Sequence, residues 1–388
     1  MRDVVIAGIG QTRVGELWDI SLRSLAYQAI KAARKEANGL LPDALYVGNY
    51  LAIVTSHQSN LGTLLADNAG LTGVEAFTCE AGQASGGAAF QMGYMAVASG
   101  YVDTALVVGV EKYTDAIGSE QEAALAISMD ADYEAMVGLT LAAQAGLLMQ
   151  RYLHQYGAPR SAFGAFPILA HANAVNNPFA MYRRAIDQQT YEKAAPVAEP
   201  LNLYDQASYA DGAAAVILTT PENARRAGIG RPLVRVRGSA GVIDTLALHD
   251  RPDPLAFDAA RYTVQRACEM GGILPGEVDL FELDDAFSIY AVLGLEAAGF
   301  AERGEGWRLG QNGDLRLNGR LPVLTMGGSK GRGNPLGAAG IYQIVEAVQQ
   351  LRGEAGANQV AEARLALTLN LGGPASSAFA HVLERLAD

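Results

Sequence analysis

The sequence predicts an α/β protein with two similar halves and a helical segment between them. Short apolar runs alternate with helical patterns over the first 110 residues, helical patterns dominate from about 112 to 200, and the alternation restarts near residue 233. Such alternation is typical of sheets that are covered by helices. The 388 residues, of which 50% are hydrophobic, are enough for two or three domains with a sizeable core.

In the first half, short apolar segments alternate with segments of helical spacing. Thr104–Val110, with the sequence TALVVGV, is typical of a central strand that is buried on both faces. Because helices connect the successive strands, we expect a parallel sheet. Strands are predicted at Val4–Gly8, Ala44–Val47, Val74–Glu80 and Thr104–Val110, and helices at Ser21–Glu36, Leu61–Ala69 and Ala84–Ala98.

The middle of the chain is predicted to be helical, and the second half repeats the first in outline. Middle helices are expected at Leu139–Tyr156, Arg160–Asn176 and Gln188–Lys193, followed by a strand at Ala213–Thr219. Later strands are expected at Leu233–Gly238, Val278–Leu283, Arg364–Leu371 and Ser376–Leu386, and later helices at Phe257–Met270, Phe287–Ala298 and Leu336–Gln350. We therefore expect an N-terminal half at 1–111 and 196–235, a helical domain at 112–195 and a C-terminal half at 236–388.

Charge and composition argue against several classes of function. The net charge is −12 and no basic run occurs, so we expect no nucleic-acid partner. The two cysteines and five histidines have no metal-ligand spacing, so no metal site is expected. No apolar stretch is long enough to span a membrane, and the chain starts on a strand rather than a signal peptide. These features favour the cytoplasm.

Four segments, in this order, resemble the thiolase superfamily, in particular its archaeal and sterol-carrier-protein-type members. They are Glu80–Phe90 (EAGQASGGAAF), Gly100–Lys112 (GYVDTALVVGVEK), Val278–Phe287 (VDLFELDDAF) and Thr325–Gly340 (TMGGSKGRGNPLGAAG), and Asn370–Gly373 (NLGG) also fits. The resemblance covers essentially the whole chain. It implies two βαβαβαββ halves in a five-layer α/β/α/β/α fold, with a helical loop domain over the site and coenzyme A thioester as substrate or ligand rather than a tightly bound cofactor.

The resemblance also implies that the catalytic cysteine and histidines of the family are missing. The position of the acyl-accepting cysteine, at a helix N-terminus, is Gln83, whose carboxamide cannot form an acyl-enzyme. The family's His-Asp-Cys-Phe reads Asp284-Asp285-Ala286-Phe287 here, and its Gly-His-Pro reads Gly333-Asn334-Pro335. Asn334 has no titrating group and cannot act as a general base.

Each of the remaining polar candidates has a structural alternative. Asp284 either acts in the site or caps the following helix, and burial would raise its pKa. Asp285 and Tyr290 are lesser catalytic candidates, and Tyr290 is equally consistent with the core. Cys79 and Cys268 are expected to be core residues rather than substitute nucleophiles. Backbone contacts to coenzyme A are expected from glycines that also permit tight turns: Gly327, Gly328, Gly372 and Gly373.

Several functions remain open from the sequence. The first is an acyl-CoA-binding subunit of an acyl-CoA-processing complex, unable to run cysteine-dependent thiolysis or Claisen condensation. The second is a retro-aldolase that cleaves a β-hydroxyacyl-CoA without an acyl-enzyme, with Asp284 or Asp285 as base. A decarboxylase of the type with glutamine at the nucleophile position is a lesser alternative, because such proteins keep their histidines. An ordinary thiolase that uses an unexpected thiol comes last.

The resemblance further implies partners. Thiolases assemble as dimers or tetramers through the N-terminal half, and we expect a homodimer or homotetramer here. Members of this subgroup also resemble proteins that pair with a small zinc-ribbon/OB-fold protein. Such a protein, or an active thiolase, is therefore a candidate partner for this chain.

Overall fold

The computed structural model describes residues 1–386. Residues 387 and 388, which close the predicted C-terminal half, lie outside the described residues. The strands are β1 (Val5–Gln11), β2 (Ala44–Gly48), β3 (Glu75–Cys79), β4 (Thr104–Glu111), β5 (Pro196–Ala198), β6 (Leu201–Asn202), β7 (Gly212–Thr219), β8 (Val234–Ile243), β9 (Leu280–Glu282), β10 (Leu365–Gly372) and β11 (Ser377–Arg385). The helices are α1 (Leu22–Glu36), α2 (Ala52–Thr55), α3 (Leu61–Asn68), α4 (Ser85–Ser99), α5 (Ser119–Ala126), α6 (Leu141–Tyr156), α7 (Ala165–Ala174), α8 (Gln188–Glu192), α9 (Pro221–Arg226), α10 (Asp258–Gly271), α11 (Ser288–Ala297), α12 (Gly306–Asn312) and α13 (Ala339–Arg352).

Most of these elements lie where the sequence places them, because the local patterns are strong. α1 begins after Ser21, whose side chain accepts a hydrogen bond from the N–H of Ser24 as an N-cap. Two predicted helices begin differently. The helix expected at Arg160–Asn176 starts with a 3₁₀ turn at Arg160–Gly164, and the one expected at Leu336–Gln350 starts with a 3₁₀ turn at Leu336–Ala338.

The sheet is mixed, which corrects the expectation of a parallel sheet in the first half. β1, β2, β3 and β4 do run in the same direction, but β7 lies between β1 and β4 and is antiparallel to both. β7 follows the long helical stretch from α5 to α8 rather than a single crossover helix. The rule that predicts parallel neighbours therefore does not apply to it.

The two halves of the sheet have the same topology. The strand order is β3-β2-β4-β7-β1 in the first half and continues as β8-β11-β10-β9 in the second. A parallel bridge between Phe281 and Val323 stands where the fifth strand of the second half would lie. β1 and β8 join the halves through only two residue pairs. The repeat inferred from the sequence is thus a structural one.

Helices α4 and α13 form the middle layer. Each contacts strands of both halves, while α1 packs on the outer face of the first half and α10 on the outer face of the second. α13 is buried along almost its whole length, as expected of a helix with sheets on two sides. This arrangement gives the five layers α/β/α/β/α and confirms the predicted thiolase fold.

The middle helices approach closely because glycine occupies the contact. A Cβ on Gly340 would lie 2.6 Å from the backbone nitrogen of Gly87 and 2.3 Å from Oδ1 of Asn370. Because Gly87 and Gly340 have no side chain, Asn370 at the end of β10 reaches the backbone of α4. Its Oδ1 accepts a hydrogen bond from the N–H of Gly87 at 3.2 Å. The glycines therefore place the end of β10 against the beginning of α4. Within the described residues, no helix is long and apolar enough to cross a bilayer.

Candidate active site

A narrow cavity lies where the beginning of α4 meets the loops after β9, before α13 and after β10. Its volume is about 30 Å³, which is room for only a few water molecules. It is lined by Gln83, Leu125, Leu141, Gln206, Ala207, Tyr209, Asp284, Ala286, Phe287, Tyr290, Asn334, Leu336, Ala339, Leu371 and Gly373. The structure thus brings together Gln83, Asp284, Asn334, Tyr290 and Gly373 from distant parts of the chain.

Gln83 is held at both ends of its carboxamide. Its Oε1 accepts from the N–H of Gly373 at 2.8 Å, and its Nε2 donates to Oγ of Ser128 at 3.2 Å. The residue lies two positions before α4, and its backbone oxygen accepts from Asn370 Nδ2 at 3.5 Å. Gln83 therefore fills the pocket, and its amide nitrogen donates to a side chain.

Asp284 is the carboxylate of the cavity. Its Oδ1 accepts from the N–H of Ala286 at 3.0 Å, and its Oδ2 accepts from the N–H of Leu371 at 3.3 Å. Burial, and next the negative charge of Asp285, raise its pKa to about 6, while these backbone donors oppose the rise. The predicted helix cap is wrong, because α11 begins at Ser288 and Asp284 closes a local turn instead. At neutral pH the group is mostly ionised and can take up a proton.

Asp285 lies outside the cavity, although it is adjacent to Asp284. Its carboxylate accepts from the N–H groups of Ser329 at 2.5 Å and Lys330 at 3.2 Å, and a Cβ on Gly328 would lie 2.8 Å from its oxygens. Burial raises its pKa, and the Lys330 cation opposes that rise. Asp285 thus holds the glycine-rich loop in place.

The candidate glycines also separate into two groups. Gly373 lines the cavity and directs its N–H at Gln83. Gly327 and Gly328 belong to the loop around Asp285 and do not line the cavity. Gly372 packs against Ser377, whose Oγ would lie 2.3 Å from a Cβ at that position. Of these four glycines, Gly373 thus directs its N–H into the cavity, where Gln83 accepts it, whereas the glycine-rich loop directs none there.

Within residues 1–386, the amide nitrogen of Asn334 donates to no protein group. A backbone N–H, that of Leu336, donates to its Oδ1 at 3.1 Å, so the NH₂ group must face the other way. The backbone oxygen of Asn334 accepts from the Tyr113 hydroxyl at 2.8 Å, and its N–H donates to Ser208 O at 2.9 Å. The loop is fixed by these contacts, so the side chain is pre-positioned.

The cavity contains one tyrosine and one amide that the sequence did not single out, together with the candidate Tyr290. The Tyr209 hydroxyl donates to Oε1 of Glu122 at 2.9 Å, and Gln206 lies beside it in the cavity wall. Tyr290 projects from α11, and its hydroxyl has no hydrogen-bond partner within residues 1–386. Tyr209 and Gln206 carry no recognisable sequence motif, so only the tertiary contacts could reveal them.

Neither thiol of the chain reaches the cavity. Cys79 ends β3 and Cys268 lies in α10, and burial raises the pKa of each thiol to about 11. Both are therefore poor nucleophiles at neutral pH. The residues lining the cavity in the described part of the chain include neither cysteine nor histidine. No group of three potential metal ligands occurs among residues 1–386.

Comparison with known proteins identifies the family. Residues 4–222 match the thiolase N-terminal domain, and residues 240–385 match the thiolase C-terminal domain-like family. The chain belongs to the thiolase superfamily. It is 41% identical to an acetyl-CoA acetyltransferase from Methanothermobacter thermautotrophicus, over 99% of this chain and 100% of that protein.

Two further matches bear on how such thiolases assemble. The chain is 32% identical to the benzoylsuccinyl-CoA thiolase subunit BbsB from Thauera aromatica, over 96% of this chain and 95% of that one. Among solved structures it is similar to the chain titled Ltp2-ChsH2(DUF35) aldolase, with a TM-score of 0.85 and 25% identity, covering 99% of this chain and 98% of that one. Thiolase relatives thus include proteins named as transferases, as a subunit and as an aldolase.

Proposed function

We propose that this thiolase-fold protein cleaves a β-hydroxyacyl-CoA by a retro-aldol reaction that needs no cysteine-bound acyl group. The observation that carries the proposal is Asp284, a carboxylate with a pKa of about 6 in a cavity whose described lining residues include no thiol or imidazole. A base with a pKa near the working pH is suited to proton transfer. Acyl transfer would instead need a nucleophile, and Gln83 cannot be one.

The reaction balances with the groups of the cavity. Asp284 takes the proton of the β-hydroxyl, the Cα–Cβ bond breaks, and a carbonyl forms at the β-carbon. The electron pair of the broken bond moves to the thioester as an enolate, and Asp284 then returns the proton to the α-carbon. The products are an aldehyde or ketone and a shortened acyl-CoA, and no oxidant or second substrate is required.

Neutral donors are available for the enolate oxygen. Asn334 has a free NH₂ group directed away from Leu336, and the carboxamide of Gln83 is the second candidate once Ser128 releases it. Fixed donors that face a developing negative charge contribute strongly inside a dry cavity. Asp284 itself would repel an enolate while it is ionised. Because it holds the transferred proton at that stage, it is neutral when the enolate forms.

A second pocket supports coenzyme A as the carrier. It has a volume of about 390 Å³, shares Gln206 with the cavity, and is lined by the cationic or titratable side chains of His171, Arg184 and Lys330. Tyr182 and Tyr204 add aromatic surface. A thioester arm could pass from this pocket to the cavity, with local cations offsetting the net charge of −12. We therefore propose coenzyme A thioester as substrate and not as a resident cofactor.

The comparisons support this proposal and also an assembly. The similar solved chain is titled as an aldolase together with a DUF35 protein. We infer that this chain also works with a small partner protein of the zinc-ribbon/OB-fold kind. A homodimer is proposed as well, since β3 is an edge strand whose residues are only partly covered, with Phe77 39% exposed.

A second candidate is an acyl-CoA-binding subunit without catalysis. It is favoured by the hydrogen bonds that Gln83 makes to Gly373 and Ser128, which already satisfy its carboxamide, and by the small cavity of about 30 Å³. In that case the chain would bind the thioester for an active neighbour. The two candidates differ in turnover but not in binding.

The test is to incubate the purified protein with 3-hydroxyacyl-CoA thioesters of increasing size and to measure shortened acyl-CoA and the released carbonyl compound by mass spectrometry. Cleavage that falls at least about a hundredfold in Asp284→Asn and Asn334→Ala supports the lyase. The exposed Asp67→Asn, on α3, is the matched control. Binding without cleavage, also with a partner protein present, would favour the non-catalytic subunit. Thiolysis of acetoacetyl-CoA by free coenzyme A would overturn both.

A further inference from the structure

Two buried hydrogen-bond donors beside the cavity have no partner. They are the hydroxyl of Tyr290 and Nη2 of Arg251, both unpaired within residues 1–386. Tyr290 is 2% exposed and Arg251 is 6% exposed, so water does not freely satisfy them. Buried polar groups in proteins are almost always paired. Tyr290 lines the cavity and Arg251 contacts Pro374 at its wall, so these two unpaired donors mark a place for acceptor atoms of a ligand.

The contacts of Arg251 place it against the cavity wall. Its Nη1 donates to the oxygen of Pro374 at 2.6 Å, and its Nε donates to the oxygen of Thr245 at 2.8 Å. Pro374 directly follows Gly373, which lines the cavity. The guanidinium also interacts electrostatically with Tyr290, which lines the same cavity. Two of its nitrogens thus donate to backbone carbonyls, while Nη2 has no hydrogen-bond partner within residues 1–386.

Within residues 1–386, the charge of Arg251 is compensated by a long ion pair and not by a hydrogen bond to a carboxylate. Its nearest carboxylate oxygen, on Asp244, lies 3.8 Å from Nε. Glu134 also acts on it, but the Glu134 carboxylate already accepts from the N–H groups of Leu248 at 2.9 Å and Asp130 at 3.1 Å. Asp258 contributes at longer range, and burial lowers the pKa of Arg251. A buried cation in this state would gain from an anionic ligand.

We propose that Arg251 and Tyr290 form a subsite for a carboxylate carried by the acyl group of the substrate, which makes the substrate a monothioester of a dicarboxylic acid. A guanidinium N–H and a phenol hydroxyl can each donate to one oxygen of a carboxylate. Leu125, Leu141 and Phe287 supply apolar wall for the methylenes between the two ends. This inference rests on the proposed function, since it presumes that an acyl-CoA enters the cavity.

The substrate carboxylate and Asp284 must be kept apart, because both are negative near neutral pH. Asp284 is fixed by Ala286 and Leu371, whereas Arg251 is fixed by Pro374 and Thr245. Tyr290 and Asp284 line the same cavity, and the charges of both Asp284 and Arg251 act on the Tyr290 hydroxyl. The reacting carbons would lie on the Asp284 side and the distal carboxylate on the Arg251 side. The small cavity favours a short chain.

Calorimetric titration with glutaryl-CoA and with valeryl-CoA tests the subsite, because the two acyl chains have the same number of carbons and differ in the terminal carboxylate. We expect glutaryl-CoA to bind at least about tenfold more tightly to the wild-type protein. Tyr290→Phe and Arg251→Gln should each remove most of this preference while leaving the affinity for valeryl-CoA within about twofold. Arg251→Lys should retain part of it.

Equal affinity of the wild-type protein for the two thioesters would overturn the subsite while leaving acyl-CoA binding, and with it the proposed function, intact. Binding of neither would overturn both. Should Arg251→Gln fail to fold, the wild-type comparison and Tyr290→Phe decide the matter. Arg225→Gln, at an exposed position on α9, controls for the loss of a positive charge and should keep the preference for glutaryl-CoA.

Discussion

The backbone N–H of Gly373 donates to Oε1 of Gln83 at 2.8 Å, across 290 positions of the sequence. This bond ties the turn after β10 to the loop before α4, and it occupies the one glycine donor that faces the cavity. A thioester carbonyl at this point would have to displace the carboxamide of Gln83. The same bond orients Gln83 within the cavity.

The variant Gln83→Cys is expected to be alkylated readily but not to restore thiolysis. It would face the cavity next to the N-terminus of α4, whereas burial raises the pKa of the Cys79 and Cys268 thiols to about 11. After treatment with iodoacetamide, peptide mass spectrometry should show that the thiol at position 83 is alkylated at least roughly tenfold faster than those of Cys79 and Cys268. Acetoacetyl-CoA thiolysis should stay at background, because Asn334 cannot take the thiol proton. Measurable thiolysis would contradict the requirement for a titrating group at position 334.

The stability contribution of Asp284 should depend on pH. Its pKa is about 6 in the folded protein instead of the ordinary 3.8, so the folded state holds the proton more tightly. The free energy of unfolding should then fall as pH rises from about 4 to about 6, by at most about 3 kcal/mol from this group. Asp284→Asn lacks the titrating group, so its free energy of unfolding should rise relative to that of the wild type between about pH 4 and pH 6, as measured by urea titration. Asp67→Asn should show no such trend, and a pH-independent difference for Asp284→Asn would contradict the raised pKa.

Asp285 is expected to act on stability and not on chemistry. Asp285→Ala removes a negative charge that stabilises the buried Lys330 cation and leaves two backbone N–H groups without an acceptor, so it should cost about 3–5 kcal/mol. Denaturant titration measures the loss, and Asp285→Asn, which keeps one acceptor oxygen, should lose less. A stable Asp285→Ala variant with abolished cleavage would instead place Asp285 in the reaction.

The edge strand β3 should form the contact between copies. Phe77 is 39% exposed there and packs on Tyr46, with ring centroids 4.9 Å apart. Phe77→Arg adds a charge to the edge and should shift the protein to monomers in light scattering with little loss of melting temperature. Phe77→Tyr serves as the matched control and should remain dimeric. Dimers that persist in Phe77→Arg would place the contact elsewhere.

The positions of the strands and helices were largely contained in the sequence. The apolar run of β4 and the capped apolar stripe of α1 depend on neighbouring residues, so local patterns predict them. The antiparallel direction of β7 was not predictable in this way. It depends on the long connection between β4 and β7, which contains several helices and therefore does not impose the parallel direction of a single crossover helix.

The sequence also placed Gln83, Asp284 and Asn334 among the site residues through the motifs around them, and the fold brings all three to one cavity. It did not separate Asp284 from Asp285. Successive side chains of an extended segment point to opposite sides, and which side faces the cavity depends on the register of β9 in the sheet. One aspartate thus lines the cavity while its neighbour holds a loop.

The sequence by itself determined the family, the alternation of elements and the residue types available for chemistry. Only the tertiary structure decided which donors are free and which are occupied, because each such pair joins residues from distant segments. The bond from Gly373 to Gln83, the raised pKa of Asp284 and, within residues 1–386, the unpaired Nη2 of Arg251 all depend on burial between layers. Burial arises from packing of the whole chain, and no local pattern encodes it.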